Sequence, residues 1–402
     1  MIRFSAKTDV SKRRQNNEDA MLSDVENGVF VVADGVGGRA AGEVASALTI
    51  QVFDGAATDL KHAVSHYASN PDWHTRNSVL ELLNDTCQRA TRMVFDESER
   101  RNKRGMTTTL VVAVVGGGSV FLAHVGDSRA YLLRDGLIRQ LTEDHSMINE
   151  LVRSGQMSYE EAASSRYRSV ITRAIGLQPT VKADVMCIDI LPGDRILLCT
   201  DGLSDPVNEE RIEKIASQDD VNTATDHLIL AALERGGPDN VTVVMIEPEA
   251  TQETEAVRAR AQVMEELFLF KGLPFHARHR VSRICQEVFF TPNQTLVTEG
   301  ELGDAMYVII QGRVEVSHNG VQLAELSSGH NFGELGLLEA TPRSATVRGL
   351  TYGSAVVIHR TQLLEFSQRE PGLGNELLWR LLATLGERLR TMNQRLTTPQ
   401  SN

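Results

Sequence analysis

The chain has 402 residues, of which 41% are hydrophobic and 23% are charged, so it can bury more than one apolar core, and its length favours two or three domains. Its formal net charge of −12 argues against a nucleic acid polymer or an anionic membrane as partner, because both need a basic field. The four cysteines show no CxxC spacing, which predicts reduced thiols and a cytoplasmic protein.

Neither the start of the chain nor its most apolar segment predicts membrane insertion. Arg3, Lys7 and Lys12 interrupt the start, and no apolar run typical of a secretory signal follows them. The uncharged segment 106–125 is long enough for a membrane span. Gly116–Gly118 divides it into two β-branched runs, however, so we predict a buried hairpin.

The first 246 residues predict an α+β domain. Short β runs alternate with helical segments; the runs are 110–115, 120–125, 130–133 and 241–246, and the helices are 41–56, 78–95, 146–153 and 221–235. Asp135–Gly136 predicts a two-residue hairpin turn. We therefore expect an antiparallel β-sandwich flanked by helices over residues 1–246.

A change in composition follows this domain. Residues 247–255 are rich in Pro, Glu and Thr, and the apolar positions after them recur at helical spacing: Val257, Ala261, Met264 and Phe268. The pattern predicts a linker helix over 247–266. Such a helix can transmit a signal, and it can equally be a helix that simply packs on the next domain.

Residues 267–392 predict a second domain made mainly of short strands. Asn319–Gly320 lies between alternating apolar positions and predicts a tight hairpin, and regularly spaced strands indicate a β jelly-roll with flanking helices. A helix is predicted over 375–392, with a stripe formed by Leu378, Leu382, Leu385, Leu389 and Met392. The stripe can pack on the barrel or on a second subunit, so a homodimer stays open. A tail is expected at 393–402.

Four Asp-centred segments of the first domain predict a metal site: NNEDA at 16–20, VADGVGG at 32–38, CTDGLSD at 199–205 and GGPDNVTVV at 236–244. Each places a carboxylate where an apolar run meets glycine-containing turn sequence, so the acids should meet at strand ends. Converging carboxylates repel one another unless cations lie between them, and oxygen ligands suit Mg²⁺ or Mn²⁺. The pattern is typical of a metallo-hydrolase.

Eight motifs of residues 1–246 resemble, in their order, those of metal-dependent protein phosphatases of type 2C, particularly bacterial ones. They are RRQNNEDA, ADGVGG, GMTTTL, HVGDSRAYL, LTEDHS, ITRAIG, LLCTDGLSD and GGPDNVTVV. The resemblance implies hydrolysis of phosphoserine and phosphothreonine in phosphorylated proteins, with a cognate serine/threonine kinase as partner. The segment 146–173 resembles the flap beside the active site of that family.

The resemblance also implies which residues hold two metal ions, with a third ion bound more weakly. Asp34 would bridge the pair, and Asp127 would bind the third ion. The other implied ligands are Glu18, which acts through a water on the metal, and Asp19, the carbonyl group of Gly35, Asp201 and Asp239.

Arg14 matches the phosphate-binding arginine of that family, with Asp34 as its catalytic companion. A planar guanidinium can bind two phosphoryl oxygens at once. Val36 stands where some family members carry a histidine that is proposed to protonate the leaving group. Metal-bound water or another group must replace that histidine; His145 is a weak candidate, because a lone histidine beside an aspartate is more often structural.

The second domain contains FGELGLLEATPRSATV at 332–347, which resembles the phosphate-binding cassette of cyclic-nucleotide-binding domains. A short helix that opens near Gly333 would offer backbone N–H groups to a cyclic phosphate. The resemblance implies a regulatory site for cAMP or cGMP composed of Gly333, Glu334 for the ribose hydroxyl, Leu335, Arg343 for the phosphate, Ser344 and Ala345.

These patterns favour a protein phosphatase regulated by a cyclic nucleotide, with three alternatives. The chain can be a non-catalytic module that binds phosphoproteins, or a metal-dependent phosphodiesterase that hydrolyses the nucleotide. The second domain can instead be a docking or dimerisation scaffold. The retained aspartates argue against the first alternative, and the order of the motifs argues against the second.

Overall fold

The computed structural model describes residues 2–37, 41–70, 73–103, 105–153, 170–218, 220–248, 269–273, 277–278, 281, 284–339 and 341–397. The chain divides into two compact units, Met1–Val257 and Arg258–Asn402. Nearly all of the predicted linker helix at 247–266 lies outside the described residues. Among the described helices, none combines the length and the apolar character that a membrane span requires.

The first unit consists of strands and helices that alternate along the chain. The strands are β1 (Arg3–Asp9), β2 (Asp19–Asp24), β3 (Val29–Val36), β4 (Thr107–Thr108), β5 (Leu110–Gly116), β6 (Ser119–Val125), β7 (Arg129–Arg134), β8 (Leu137–Gln140), β9 (Asp184–Asp189), β10 (Arg195–Cys199) and β11 (Val241–Glu247). The helices are α1 (Ala41–Ser69), α2 (Trp73–Arg100), α3 (Met147–Arg153), α4 (Asp201–Ser204), α5 (Glu209–Gln218) and α6 (Val221–Glu234).

Two antiparallel sheets face each other in this unit. One has the order β2-β3-β5-β6-β9, with β4 paired to β3, and the other has the order β1-β11-β10-β7-β8. Val31 of β3 packs with the helices α1 and α2, while its neighbour Phe30 points the other way, with its ring centroid 5.5 Å from that of Phe4 in β1. The predicted antiparallel β-sandwich flanked by helices is confirmed.

The helices α1 and α2 are longer than the sequence predicted. Helix α1 continues past residue 56 because Ala57, Leu60, Val64 and Tyr67 keep its apolar face on the core, and all four are buried. On the other sheet, α5 and α6 form the cover. All three hairpin predictions are confirmed. Asp135 and Gly136 have φ values of 53° and 77°, and the Asn319–Gly320 turn has 49° and 76°, the left-handed conformation that two-residue hairpins need. Strands β5 and β6 pair across a turn at Gly117–Gly118, where φ is 60° and 74°.

The second unit is rich in short strands. They are β12 (Cys285–Phe290), β13 (Thr295–Val297), β14 (Leu302–Gly303), β15 (Ala305–Gln311), β16 (Arg313–His318), β17 (Val321–Ser327), β18 (Asn331–Phe332), β19 (Thr341–Pro342), β20 (Thr346–Gly349) and β21 (Gly353–His359). The helices are α7 (Leu335–Leu338), α8 (Arg360–Arg369) and α9 (Pro371–Thr397).

The strands of this unit form two four-stranded antiparallel sheets, β12-β21-β15-β18 and β13-β20-β16-β17, and the pair β14-β19. Phe290, Ile309 and Val347 are among the buried residues of one shared core, which joins strands of both large sheets. A separate core joins α8 and α9 to the sheet that contains β15. The structure therefore confirms a β jelly-roll with flanking helices.

Helix α9 is longer than predicted, and its predicted stripe packs in part. It begins at Pro371 and ends at Thr397, whereas the sequence predicted 375–392. Leu378 and Leu385 of the stripe are partly buried against the core that contains Leu377 and Leu381, while Leu382 is 49% exposed. The side chains of Leu389 and Met392 lie outside the described ones. Periodicity therefore located the packing face of the helix without selecting every residue on it.

The start of α1 touches the end of β3 through backbone alone, which generates a stability prediction. A Cβ atom on Gly42 would lie 2.5 Å from the carbonyl oxygen of Gly35. We expect Gly42→Ala to lower the free energy of unfolding by about 1–3 kcal/mol, because strand and helix must move apart. Urea denaturation followed by circular dichroism measures this.

Gly55→Ala in the same helix is the matched control. Its Cβ would meet nothing within 4 Å, so we expect a gain of about 0.5–1 kcal/mol from helix propensity. Equal effects of the two substitutions would contradict the close backbone contact.

Candidate active site

A cavity of about 510 Å³ lies where several strands of the first unit end. Five carboxylates line it, and the other lining residues considered below are Arg14, Gly35, Val36, Ile171 and Asn240; the carboxylates belong to Glu18, Asp34, Asp127, Asp201 and Asp239. Residues far apart in the sequence therefore meet at one place. Asp19 is the one predicted ligand that does not line the cavity.

The strands explain why these acids converge. Asp19 opens β2 and lies opposite Asp34 of β3 in the antiparallel register. Asp201 is the first residue of α4 and is separated from β10 by Thr200 alone, and Asp239 lies just before β11. Because β10 and β11 are neighbours in one sheet, their ends bring Asp201 and Asp239 together. Asp127 lies in the turn between β6 and β7.

Threonine hydroxyls and backbone groups hold Asp34 in place. Its N–H donates to Thr109 Oγ1 over 3.0 Å, and its carbonyl oxygen accepts from Thr108 Oγ1 over 2.8 Å. Thr109 Oγ1 also lies 2.6 Å from Ser128 Oγ, beside Asp127. Both threonines come from the motif GMTTTL, so that motif supports the strand end that carries Asp34.

Asp19 is buried behind the cavity. Its Oδ2 accepts hydrogen bonds from Thr200 Oγ1 over 3.0 Å and from Thr242 Oγ1 over 2.6 Å. Its Oδ1 has no partner, and neither has Oδ1 of Asp201, although both atoms are buried. Buried carboxylate oxygens without donors are costly, and a hard cation is the partner that oxygen atoms in this arrangement fit.

Burial and mutual repulsion favour the protonated form of these acids. Burial raises the pKa of Asp19 to about 7, although its two threonine hydrogen bonds oppose the shift. The pKa of Asp127 is raised to about 7 by burial and by Asp201, and that of Asp201 to about 6 by burial and by Asp239. Burial, with Asp19 next, also raises the pKa of Asp34 well above its usual range. Cations in the cavity would reverse these shifts.

Arg14 reaches the cavity wall and pairs with one of the acids. Its Nη2 donates to Oδ2 of Asp239 over 2.5 Å. Partial burial disfavours the charge on Arg14, but Asp239 together with Glu18 and Asp34 outweighs burial, and the pKa of Arg14 is raised. The predicted phosphate-binding residue is therefore present at the cavity, with a carboxylate as its partner.

Asn240 is a site residue that the sequence reasoning missed. Its Oδ1 accepts from the N–H of Glu18 over 2.9 Å, and its Nδ2 donates to the carbonyl oxygens of Val10 and Asn16 over 2.9 and 3.0 Å. These bonds hold the loop that carries Arg14. An amide side chain directly after the aspartate of GGPDNVTVV was the available signal.

His145 is not a cavity residue. Its side chain is 5% exposed, its Nδ1 accepts from the N–H of Gly126 over 3.1 Å, and its Nε2 lies 3.2 Å from Asp184 Oδ2. The weak prediction of a proton donor at this position is not supported, because the ring contacts the structure around the cavity and does not line it. Val36 does line the cavity, as its sequence position implied.

The acids share one cavity, but their side chains do not yet form a closed ligand set. Within the described ranges, no three His, Cys, Asp or Glu side chains form a group that could already hold a metal ion. Asp239 has Arg14 as partner and Asp19 has its threonines, whereas Oδ1 of Asp19 and Oδ1 of Asp201 have no partner. The donor set therefore fits hard cations chemically, and part of it is not satisfied by protein groups.

The predicted cassette of the second unit contains a short helix and an inward-turned arginine. Helix α7 begins at Leu335, and Gly333 has a φ of 76°. Arg343 Nη1 donates to the carbonyl oxygen of Gly333 over 3.1 Å, and Nη2 donates to that of Ala305 over 2.8 Å. Glu334 is buried. Ser344 is exposed and Ala345 lies partly buried beside it.

Gly303 was missed by the sequence reasoning on this cassette. A Cβ atom there would lie 2.2 Å from Nε of Arg343, so the guanidinium occupies the space that a side chain would need. The available signal was a glycine in the turn-rich segment before β15. A glycine alone did not indicate that the side chain of Arg343 packs against it.

The raised pKa of Asp127 generates a prediction for the metal-free protein. The folded state binds this proton more tightly than the unfolded state, so its contribution to the unfolding free energy falls from about pH 4 to about pH 7. Asp127→Asn removes the ionisation. We expect it to stabilise the protein more at pH 8 than at pH 5, by about 1–3 kcal/mol, in thermal unfolding with EDTA.

The exposed Asp85→Asn in α2 is the control for this experiment. If Asp127→Asn raised the unfolding free energy by the same amount at both pH values, ionisation of Asp127 would not destabilise the folded state.

Two family models match the chain in separate ranges. The model described as Protein phosphatase 2C matches residues 8–269, more than half of the chain, and the model described as Cyclic nucleotide-binding domain matches residues 287–370. The serine/threonine phosphatase stp of Listeria monocytogenes serotype 4b (strain F2365) is 34% identical over 252 residues, which are 61% of this chain and 96% of that protein.

Solved structures show the same likeness. The serine/threonine protein phosphatase PstP of Mycobacterium tuberculosis is 37% identical over 249 residues, which are 61% of this chain and 45% of that protein. Its crystal structure matches with a TM-score of 0.53 at 35% identity, over 62% of this chain and 99% of that chain. A structure of the PstP catalytic domain with two manganese ions matches with the same TM-score of 0.53. The chain therefore belongs to the protein phosphatase 2C family, as a metal-dependent serine/threonine phosphatase that also contains a cyclic nucleotide-binding domain.

Proposed function

We propose that the cavity of the first unit is the catalytic site, where divalent cations and Arg14 bind the phosphate of phosphoserine and phosphothreonine in proteins. The observation that carries this proposal is the set of buried acids whose negative charge exceeds what protein groups neutralise. At 4 Å, two like charges repel by about 4 kcal/mol at an effective dielectric constant of 20, so several acids around one cavity need cations.

The residues that would hold two cations are those with oxygen atoms at the cavity or directly behind it. Asp34 would bridge the two, and Asp127 would hold a third ion. The remaining proposed ligands are Glu18, Asp19, the Gly35 carbonyl, Asp201 and Asp239. The bound cations would supply an acidified water as nucleophile and neutralise phosphoryl oxygens.

The chain's own residues would orient the substrate. Arg14 would turn its guanidinium from Asp239 to two phosphoryl oxygens, a geometry that a planar fork allows and a lysine does not. Asn240 would keep the loop of Arg14 in register. Among the described residues that line the cavity, none is a histidine, so the leaving alkoxide would take its proton from water or from another group.

The first functional prediction concerns metal dependence. We expect the purified chain to hydrolyse a generic aryl phosphate with Mn²⁺ and to lose this activity in EDTA. Asp34→Asn and Asp201→Asn should each reduce kcat by at least about 10³-fold, because each removes a ligand of the nucleophile-generating cations. Asp85→Asn, at an exposed position of α2, should be as active as the wild type.

The alternatives give different results in the same assay. A non-catalytic phosphoprotein-binding module would bind Mn²⁺ and phosphopeptide without turnover. A phosphodiesterase would release AMP or GMP from a cyclic nucleotide. Full activity in EDTA would refute the metal mechanism itself.

For the second unit, we propose a regulatory site for cAMP or cGMP. Arg343 forms no ion pair with the described residues, and its guanidinium bonds two carbonyl oxygens, so its charge is not neutralised by an acid. A cyclic phosphate would supply that negative charge, while Glu334 would accept from the ribose hydroxyl. Leu335, Ser344 and Ala345 would complete the site. If the second unit were only a scaffold, no ligand would neutralise the positive charge of Arg343.

The second functional prediction concerns this ligand. We expect cAMP or cGMP to raise the melting temperature of the chain, with a stabilisation of about 2.7 kcal/mol at a ligand concentration 100 times Kd. Arg343→Ala should abolish the shift, and the exposed Arg348→Ala in β20 should retain it. The phosphatase rate with one phosphopeptide, with and without nucleotide, tests the regulation.

No shift with either nucleotide would reduce the second unit to a docking or dimerisation scaffold. The domain limits at 246, 266 and 392, the cytoplasmic location, the cognate kinase and the homodimer stay predictions of the sequence.

A further inference from the structure

The turn that carries Asp127 is attached to a second segment that the catalytic proposal does not use. We name residues 126–129 the Asp127 turn and residues 144–147 the support segment. The N–H of His145 donates to the carbonyl oxygen of Gly126 over 2.7 Å, and the N–H of Gly126 donates to Nδ1 of His145 over 3.1 Å. Backbone and ring of one residue therefore bind both polar groups of Gly126.

The other end of the Asp127 turn is attached to the same segment. Arg129 donates to the carboxylate of Asp144 through Nε, over 2.9 and 3.1 Å, and through Nη2, over 2.6 Å. Both partners are largely buried, with side-chain exposures of 22% and 13%. Because both ends of the Asp127 turn are attached to adjacent residues, the position of Asp127 depends on the support segment.

The support segment also binds a wall of the cavity. The carbonyl oxygen of His145 accepts from the N–H of Thr172 over 2.7 Å, and the N–H of Met147 donates to the carbonyl oxygen of Val170 over 2.9 Å. Ser146 and Ile171 form an antiparallel bridge between these bonds. Ile171 lines the cavity. One short segment thus attaches to Asp127 on one side and to Ile171 on the other.

The hydrogen bonds around His145 determine which ring nitrogen carries the proton. Nδ1 accepts from Gly126, so Nε2 carries the hydrogen in the neutral ring and donates to Asp184 Oδ2 over 3.2 Å. Arg173 Nη1 lies 3.0 Å from the same Nε2 and 3.3 Å from Asp184 Oδ1. Two donors cannot bond each other, so the hydrogen bond of Arg173 goes to Asp184. Asp184 therefore fixes the ring in the tautomer that Gly126 needs.

We propose that His145 is a positioning residue, whose Nδ1 contact with Gly126 holds the Asp127 turn on the support segment, while the backbone of that segment binds the Ile171 wall. The inference rests on the proposed function for its catalytic meaning. Its structural content, which is that loss of the ring acceptor leaves the N–H of Gly126 without its partner and loosens the Asp127 turn relative to the Ile171 wall, stands on the hydrogen bonds alone. His145 is not among the residues that line the cavity, so its effect passes through Asp127.

Two polar substitutions of similar size separate the contacts of the ring. In His145→Asn, the Oδ1 atom takes the place of Nδ1 and can accept from Gly126, while the contact with Asp184 is lost. In His145→Gln, the amide takes the place of Nε2 and can donate to Asp184, while the acceptor for Gly126 is lost. The pair keeps a polar group at a buried position in each variant.

The first measurement is amide hydrogen exchange of the full-length, metal-free protein. We expect His145→Gln to accelerate exchange in residues 125–129 by about ten-fold, because the buried N–H of Gly126 loses its acceptor. His145→Asn should retain wild-type protection there. The amides of β11 should be unchanged in both variants, which shows that the fold is intact. Wild-type protection in His145→Gln, or loss of protection only in His145→Asn, would overturn the proposal.

The second measurement is a Mn²⁺ titration by calorimetry, with the metal alone as probe. We expect His145→Gln to weaken the weakest class of Mn²⁺ sites by about ten-fold and to leave the tighter class unchanged, because Asp127 is displaced and Asp34 is not. A uniform loss in all classes would assign His145 a general structural role and overturn the proposal. If the wild type shows no phosphatase activity, the proposed function fails, while the exchange result still decides the role of His145.

Discussion

The structure depends on one constraint, which is the burial of several carboxylates around a single cavity. Burial raises the pKa of Asp34 well above its usual range, that of Asp19 to about 7 and that of Asp201 to about 6. Ionisation of these groups therefore destabilises the folded state. A folded protein is stable by only about 5–15 kcal/mol, and a few such groups are a large fraction of that margin. Cations bound at the proposed site would convert this repulsion into affinity, because they would bind the folded state and not the unfolded chain.

The sandwich provides the rigidity that this arrangement needs. Asp19 and Asp34 lie opposite each other on neighbouring antiparallel strands, so their separation is fixed by hydrogen bonds of the sheet. Gly35 and Gly42 bring strand and helix so close that no side chain fits between them. The backbone at Asp19 and Asp34 is therefore held in place, so the two carboxylates cannot move apart when they repel each other. This is the preorganisation that electrostatic catalysis requires.

The sequence predicted the convergence of the acids because each sits where an apolar run stops, and the two sheets were predictable from β-branched runs and two-residue turns. It did not predict α1 beyond residue 56, where core-facing residues such as Leu60 and Val64 continue the helix after a polar stretch. It also missed Asn240 and Gly303. Asn240 acts through hydrogen bonds to a loop that is distant in the sequence, and Gly303 acts through the space that it leaves for Arg343. The spacing of residues along the sequence shows neither a long-range hydrogen bond nor an empty volume.

The hydrogen-bond partners of Asp19 suit the proposed cation site. Its Oδ2 accepts from two threonine hydroxyls, which orient the carboxylate without neutralising it. A lysine or arginine at either position would lower the pKa of Asp19 and stabilise the metal-free fold, but it would also cancel the negative charge that attracts a cation. Arg129, a buried cation in the Asp127 turn, forms an ion pair with Asp144. Neutral donors lie behind the acids, and Arg129 beside them is already ion-paired, so the negative charge of the cavity would be left for the proposed cations and for Arg14 to balance.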